Sequence, residues 1–345
     1  MLYRKCFMII SAISLFLCGC LSESSSLSAE TSGSRDVFAM DTYMNLKVYD
    51  EEPEKILDLS ENKIRELEEK LSVTSEKSDI WKIDHANGAE VKIDSDLMSL
   101  IGKAKEIGAK TEGALDITIY PLLKEWGFTT GNYNIPSDSS IDKLLKNVDY
   151  SRIELSENSI KLPENFQIDL GALGKGYTGD EIIKLMKENG ADSAIINLGG
   201  NVQTLGTKPD GSEWRVSVRD PFAPEKDMCV VEVADKAVIT SGNYERFFTG
   251  DDGKNYWHII DPTDGYPADN GLVSVTVIGG NGLECDALST AFFVAGYDRT
   301  CKYLDTFTDI DVILVTDDGR ILYTDGLNNS FKNLSGMTAE VISLD

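Results

Sequence analysis

The sequence has little positive charge. Its 345 residues include 33 Lys and Arg residues against 58 Asp and Glu residues, which gives a formal net charge of −25 at pH 7. A surface this acidic repels the phosphate backbone of nucleic acids and the headgroups of anionic lipids. We therefore exclude nucleic acid as a partner. The length leaves room for one large domain or two medium ones.

Cysteine is scarce and irregularly spaced. The chain has 6 cysteines, and those beyond residue 20 are Cys229, Cys285 and Cys301. This odd set is not the framework of a disulfide-stabilised domain, and it lacks the paired spacing of a zinc site. We predict that these residues act as small buried hydrophobic side chains.

Long apolar runs are absent after the N-terminal segment, so no later stretch is expected to span a membrane. Arg4 and Lys5, followed by an apolar run over residues 7–17, are typical of a signal peptide. The sequence Leu-Cys-Gly-Cys that ends at Cys20 resembles a bacterial lipobox, in which Cys20 would be acylated. A simple cleaved signal is the alternative.

These features predict the organisation of the chain. We expect a signal peptide over residues 1–19, a lipid-anchored flexible tether rich in serine over 20–35, and one folded domain over 36–340. The protein would then be exported and held on the extracytoplasmic face of the cell membrane.

Hydrophobic periodicity predicts a mixture of helices and strands. Helices are expected over residues 53–71, 179–188 and 287–295, and Asp96 is expected to cap a further helix. The predicted strands cover 194–198, 214–219, 272–278 and a hairpin of 312–316 with 321–324. This mixture favours an α+β fold over a regular parallel sheet.

Three oxygen-bearing side chains occur together at the predicted start of the apolar helix. Asp286, Ser289 and Thr290 are three and four residues apart, so they share one helical face. Hard cations such as Mg²⁺ prefer oxygen ligands of this kind. Capping of the helix by Asp286 and Thr290 is the alternative interpretation.

A glycine-rich stretch precedes the helix predicted at residue 179. Residues 169–177 read Asp-Leu-Gly-Ala-Leu-Gly-Lys-Gly-Tyr. Glycine lets the backbone approach a ligand closely, and the following helix N-terminus favours a phosphate. The segment matches neither common nucleotide-binding fingerprint, and a purely structural turn is the alternative.

The chain has 2 histidines. His85 lies in a polar stretch that looks like a loop, whereas His258 lies in the apolar sequence Trp-His-Ile-Ile-Asp-Pro. His258 is therefore the candidate general base in the second half of the chain. A histidine in an apolar strand can also be a simple core residue.

Taken together and in order, these motifs resemble one family, the ApbE-like FAD:protein FMN transferases, whose members are often lipoproteins. The resemblance extends from about residue 36 to 330. The matching stretches are FAMDT at 38–42, GALDIT at 113–118, WGF at 126–128, DLGALGKGY at 169–177, NLGGN at 197–201, TSGNYER at 240–246, HIIDP at 258–262 and DALST at 286–290.

The resemblance implies a fold and a set of site residues. The fold would be ApbE-like, with mixed and antiparallel sheets flanked by helices in two intimately packed subdomains. His258 would be the catalytic base, and Asp41 stands where many members have glycine. The FAD site would contain Met40, Ala114, Leu115, Asp116, Asp169, Lys175 and Ile260. Mg²⁺ would be bound by the carbonyl of Ala172 and the side chains of Asp286 and Thr290.

The resemblance also implies a reaction. A Ser or Thr hydroxyl of an acceptor protein would attack the FMN-side phosphorus of FAD, with release of AMP and with Mg²⁺ balancing the diphosphate charge. The acceptor, often a membrane redox subunit, would carry a motif similar to Asp-x-x-Ser/Thr-Gly-Ala-Thr/Ser. Two alternatives remain at this point: an FAD pyrophosphatase that produces FMN and AMP, and a non-catalytic FAD-binding lipoprotein. A solute-binding lipoprotein fits residues 286–290 poorly.

Overall fold

The computed structural model describes residues 31–343, which form an α+β structure. The helices are α1 Pro53–Leu71, α2 Asp79–Asp84, α3 Ser95–Lys110, α4 Tyr120–Glu125, α5 Asp138–Leu144, α6 Gly174–Glu188 and α7 Gly282–Leu304. The strands are β1 Ser32–Ala39, β2 Thr42–Tyr49, β3 Glu90–Lys92, β4 Glu154–Ser156, β5 Ser159–Lys161, β6 Ser193–Leu198, β7 Asn201–Leu205, β8 Trp214–Asp220, β9 Ala223–Val233, β10 Ala237–Gly242, β11 Phe247–Thr249, β12 Asn255–Trp257, β13 Leu272–Gly279, β14 Ile310–Thr316, β15 Arg320–Tyr323, β16 Phe331–Asn333 and β17 Thr338–Val341.

A large sheet organises the described chain. Its 9 strands run in the order β1-β2-β6-β7-β10-β13-β14-β15-β17. Neighbouring strands are antiparallel except for β15 and β17, which are parallel. This mixed, mainly antiparallel sheet with flanking helices confirms the predicted α+β class.

Both faces of this sheet are covered. Every residue of β13 is buried, which a strand covered on one side alone would not show. Val277 packs in a cluster with residues of α3 and α7, whereas its neighbour Ile278 packs against the smaller sheet of β8, β9 and β16. Successive side chains of a strand point to opposite faces, so one strand serves both cores. Helices therefore lie on one side of the sheet and strands on the other.

The helix predictions were right in place but partly wrong at the ends. The first predicted helix is confirmed as α1, whose Pro53 stands in the first turn where its missing N–H costs nothing. Asp96 is not a cap, because Asp94 accepts the hydrogen bond from the Leu97 N–H that begins α3. In α7, Asn281 is the cap, so the helix starts before the predicted residue 287.

The predicted tether extends too far. Residues 32–35 belong to β1, which pairs with β2 from Ser32 onward. Arg35 lies 3.0 Å from carboxylate oxygens of Glu54, Asp58 and Glu61, which ties this segment to α1. The folded domain thus begins before residue 36, and β17 continues to Val341. Cys20 and the predicted signal peptide lie outside the described residues. Among those that are described, no helix has both the length and the apolar character needed to cross a membrane.

Candidate functional site

A cleft of about 420 Å³ lies beside the β1–β2 hairpin and the N-terminus of α6. This volume is in the range of small-molecule sites. Most of the predicted site residues line it: Met40, Ala114, Asp116, Asp169, Ala172, Lys175, His258 and Ile260. Three others do not belong to its wall. Leu115 is a core residue, and Asp286 and Thr290 lie behind the wall on α7.

The rim of the cleft includes a strained two-residue turn. Met40 and Asp41 join β1 to β2 with φ of 50° and 55°, both in the left-handed region. A two-residue hairpin of type I′ has this conformation at both positions, and glycine, Asn or Asp tolerate it best. The Met40 N–H donates to the Glu68 carboxylate at 2.7 Å, which fixes the turn against α1. The aspartate at position 41 is thus compatible with the fold, although glycine would adopt the turn with less strain.

Asp116 organises one wall of the cleft. Its Oδ1 accepts hydrogen bonds from the N–H of Thr118 at 2.8 Å and from its hydroxyl at 2.6 Å. Its Oδ2 accepts from the Tyr150 N–H at 2.9 Å. Burial raises the pKa of Asp116, and these donors oppose that shift. Since both carboxylate oxygens accept internal hydrogen bonds, Asp116 holds the loop in shape, and neighbouring Ala114 is exposed to the cleft with it.

The glycine-rich stretch proved to be the first turn of a helix. α6 starts at Gly174, before the predicted residue 179, and both Gly174 and Lys175 line the cleft. The N–H groups at a helix N-terminus point outward and carry partial positive charge, so this end of α6 favours an anion. Asp169 lies close by, with a carboxylate oxygen 2.5 Å from the Gly171 N–H. Residues 174–177 therefore form the first turn of α6, and residues 169–173 are the turn that leads into it.

α6 and α7 cap one another. The Asp286 carboxylate on α7 accepts a hydrogen bond from the Gly176 N–H at 2.8 Å, in the first turn of α6. In return, Asp180 on α6 accepts from the N–H groups of Gly282 and Leu283 at 2.7 and 2.8 Å. The capping alternative is thus wrong for α7, whose own cap is Asn281, yet Asp286 does cap the neighbouring helix.

Several hydroxyl oxygens lie near Asp286. Ser241 Oγ on β10 is 2.8 Å from Ser289 Oγ and 3.2 Å from Thr290 Oγ1. The Ser289 hydroxyl also donates to the Asp286 carbonyl at 2.8 Å. Burial raises the pKa of Asp286, while the charge of Lys175 and the Gly176 N–H oppose that rise. Asp286 is therefore a buried carboxylate near the charge of Lys175, and two hydroxyl groups follow it on the same helical face.

This donor set resembles a Mg²⁺ site more than a site for a softer metal. Within residues 31–343 no group of three His, Cys, Asp or Glu side chains could hold a metal ion. One carboxylate with hydroxyl and carbonyl oxygens matches Mg²⁺, which often takes its remaining ligands from water and substrate phosphates. The Ala172 carbonyl precedes α6 and accepts no main-chain hydrogen bond in the described chain. The side-chain amide of Asn201 is buried beside the Asp286 carboxylate, and this contact opposes the rise in the pKa of Asp286.

His258 lies on the cleft wall directly after β12. Both its N–H and its Nδ1 face the Arg246 carbonyl oxygen, at 3.1 and 3.2 Å. Removal from bulk water lowers the pKa of His258 to about 4, and the charge of Arg246 contributes to the same shift. His258 is only half-buried and lines the cleft, so it is not the core residue of the alternative interpretation. His85 ends α2 and stacks on Trp81, away from this wall.

The structure adds residues that the sequence did not single out. Arg246 lines the cleft, and its guanidinium donates to the Phe128 carbonyl. Thr129 also lines it, with a buried hydroxyl that lacks a hydrogen-bond partner among the described residues. Residues 72–74, just after α1, complete the rim. Arg246 had a sequence signal, since it ends one of the matching motifs, and residues 72–74 begin a stretch over 72–81 that matches the family only loosely.

The chain was compared with known proteins. The model of the ApbE family matches residues 40–314. An FAD:protein FMN transferase of Treponema pallidum is 33% identical over 259 residues, 70% of this chain and 71% of its own length. One of Klebsiella pneumoniae is 34% identical over 258 residues, with 73% and 79% covered. The crystal structure of the ApbE protein from Thermotoga maritima superposes with a TM-score of 0.81 at 31% identity, covering 86% of this chain and 98% of that one.

Proposed function

The chain belongs to the ApbE family, and from that premise we propose that it transfers the FMN half of FAD to a Ser or Thr hydroxyl of an acceptor protein. The reaction depends on Mg²⁺ and releases AMP. One observation carries this proposal: His258, Lys175 and the N-terminus of α6 line a single cleft. A base, a cation and an anion-binding helix end are the groups that phosphoryl transfer from FAD to a hydroxyl needs.

His258 acts as the base through Nε2. Its Nδ1 faces the Arg246 carbonyl, which can only accept a hydrogen bond, so Nδ1 carries the proton in the neutral ring. The acceptor oxygen bonds to the FMN-side phosphorus, and its proton passes to Nε2. The bond between that phosphorus and the bridging oxygen breaks, and AMP leaves with the electron pair. With water in place of the acceptor, the same steps hydrolyse FAD to FMN and AMP.

The diphosphate of FAD is bound at the N-terminus of α6. Lys175, in the first turn of this helix, meets its negative charge, and the dipole of α6 adds to that attraction. Asp286, Thr290 and the Ala172 carbonyl would hold Mg²⁺, which would neutralise the diphosphate and stabilise the departing AMP phosphate. In a chain with a net charge of −25, such neutralisation is needed before an anionic substrate can bind productively.

The experiment is incubation of the protein with FAD, Mg²⁺ and a peptide containing the sequence Asp-x-x-Thr-Gly-Ala-Thr, followed by intact-mass analysis of the peptide. We expect the peptide to gain one FMN group and AMP to appear in equal amount. AMP without modified peptide would indicate a pyrophosphatase instead. FAD that stays bound and intact would indicate a non-catalytic flavin-binding protein.

The location of the enzyme is part of the proposal. We propose that residues 1–19 direct export and that Cys20 is acylated, so the domain acts at the extracytoplasmic face of the cell membrane on redox subunits. The lipobox-like sequence before Cys20 supports this proposal.

A further inference from the structure

A second depression adjoins the proposed FAD cleft. It has a volume of about 400 Å³, and its lining includes Thr42, Tyr43, Gly199, Gly200, Arg219 and Glu245. Asp41 and Arg246 line the cleft, and the residues next to them in sequence, Thr42 and Glu245, line the depression. The two cavities therefore adjoin at the β1–β2 turn and at the segment that follows β10.

The depression extends toward the proposed metal site. Gly199 and Gly200 form the turn between β6 and β7, and the next residue, Asn201, has its buried amide beside Asp286. A Cβ atom at Gly200 would lie 3.8 Å from a Glu245 carboxylate oxygen. Lys175, which lines the FAD cleft, also acts electrostatically on Glu245. The depression and the cleft thus approach the same few residues from two directions.

Close packing fixes the edge of the depression. Gly199 has a φ of 65°, and a Cβ atom there would lie 2.0 Å from Thr42 Oγ1. Any side chain at this position would therefore push the β6–β7 turn away from the β1–β2 turn. Since Met40 and Asp41 of that second turn line the FAD cleft, the relative position of the two cavities is rigidly set.

The lining suits an extended polypeptide with an acidic side chain. Tyr43 is 64% exposed and offers a flat aromatic surface with a hydroxyl. The strand register shifts on both sides of Arg219, and such bulges redirect a side chain. Arg219 is exposed, and within residues 31–343 no carboxylate lies at ion-pair distance from it, while its charge acts at longer range on Glu245 of the same depression. In so acidic a chain, an arginine at this place would attract a carboxylate that the protein otherwise repels.

We propose that this depression is the docking site for the acceptor protein, which it would bind through an extended segment that carries the reactive hydroxyl and an acidic residue. This inference rests on the proposed transferase function. FAD occupies the cleft, so the acceptor must reach the FMN-side phosphorus from another direction, and the depression provides one. Arg219 binds the acidic side chain, and Tyr43 packs against the segment.

The test uses steady-state transfer to the same acceptor peptide, with the peptide concentration varied. Arg219→Glu should raise the KM for the peptide about tenfold or more, since a charge-assisted contact becomes a repulsion. Arg215→Glu is the matched control, because Arg215 is an exposed arginine of the same strand outside the depression. Tyr43→Ala should also raise the KM, whereas Phe38→Ala, which removes the exposed aromatic opposite Tyr43 in the hairpin, should not.

FAD affinity and FAD hydrolysis without peptide should be unchanged in all four variants. A peptide in which the aspartate is replaced by lysine should regain transfer with Arg219→Glu. Wild-type KM values in both Arg219→Glu and Tyr43→Ala would overturn the docking site while leaving the transferase intact. Absence of any FMN adduct with the wild-type protein would overturn the proposed function, and the docking site with it.

Discussion

Asp286 carries two roles that substitutions can separate. It would provide the only charged ligand to Mg²⁺, and its Oδ2 caps α6 through the Gly176 N–H. Asp286→Ala removes both roles. Asp286→Asn keeps an oxygen that can accept the Gly176 hydrogen bond but removes the charge. Asp180→Ala is the matched control, because Asp180 caps α7 in the reciprocal way without being a proposed ligand.

The stability effects follow from the hydrogen bonds lost. One cap is worth about 1 kcal/mol, so Asp286→Ala should lose about that amount of unfolding free energy. Asp180→Ala leaves two N–H groups unsatisfied and should lose about 2 kcal/mol. For a domain of this size, about 1 kcal/mol corresponds to a fall of roughly 2 °C in Tm. Asp286→Asn should be as stable as the wild type or more so without metal, because burial disfavours the charged carboxylate, as its raised pKa indicates.

The order of the three variants should differ when the Mg²⁺ requirement is measured instead of stability. Loss of the charged ligand should raise the Mg²⁺ concentration for half-maximal AMP release at least about tenfold in both Asp286 variants. Asp180→Ala should keep the wild-type requirement. The assay is a Mg²⁺ titration of AMP release at saturating FAD, beside melting curves recorded without Mg²⁺ or FAD. If the Mg²⁺ curve of Asp286→Asn overlaps that of the wild type, Asp286 is a cap only and the metal assignment is wrong.

Three further outcomes are expected. His258→Ala should lower the transfer rate about 10²–10⁴-fold and leave FAD affinity unchanged, as expected for loss of a general base. His85→Ala should change neither the transfer rate nor FAD affinity. Equal transfer rates in the two variants would contradict the role of His258. The lowered pKa of His258, about 4, means that its neutral, proton-accepting form persists to low pH. The acid limb of kcat/KM should therefore lie near pH 4, and a limb near the ordinary histidine value of about 6.5 would show that the ring is not desolvated. Cys20→Ala should move the protein from the membrane to the soluble fraction with unchanged activity, since two acyl chains are needed for firm anchoring; a variant that stays with membranes must be anchored elsewhere.

The sequence predicted elements best where a local pattern was strong. The apolar face of α1 and its proline at the first turn fix that helix without reference to the rest of the chain. The alternation along β8 likewise appears in the structure as alternating buried and exposed residues. Such elements depend on periodicity, which a single sequence records.

The errors occurred where tertiary contacts overrule local preference. Glycine is a poor helix former, so Gly174 and Gly176 looked like a loop before α6. The serine-rich stretch near residue 32 looked flexible, yet its Arg35 binds three carboxylates on α1. Neither the neighbouring helix nor the ion pairs can be inferred from local composition.

The candidate site shows the same difference between residues that a sequence pattern identifies and residues that only tertiary packing brings into place. Most site residues predicted from the matching motifs line the cleft, whereas Thr129 had no sequence signal and residues 72–74 had only a loose match to the family. Residues 72–74 lie there because α1 ends beside the cleft, which depends on the packing of the whole helix. Asp286 was identified as a ligand candidate from its spacing, but its cap of α6 required knowledge of which helix lies opposite.

That helix contact explains why glycine is needed at position 176. A Cβ atom there would lie 2.2 Å from the Gly282 carbonyl oxygen and 2.6 Å from Asp286 Cβ. Alanine would favour the helix by about 1 kcal/mol, but its methyl group would force α6 and α7 apart and break both reciprocal caps. The glycine therefore keeps the proposed phosphate-binding end of α6 and the carboxylate of Asp286 at a fixed separation. Because each helix is capped by an aspartate of the other, the proposed phosphate and metal sites form one rigid unit, and a displacement of either helix would disturb both.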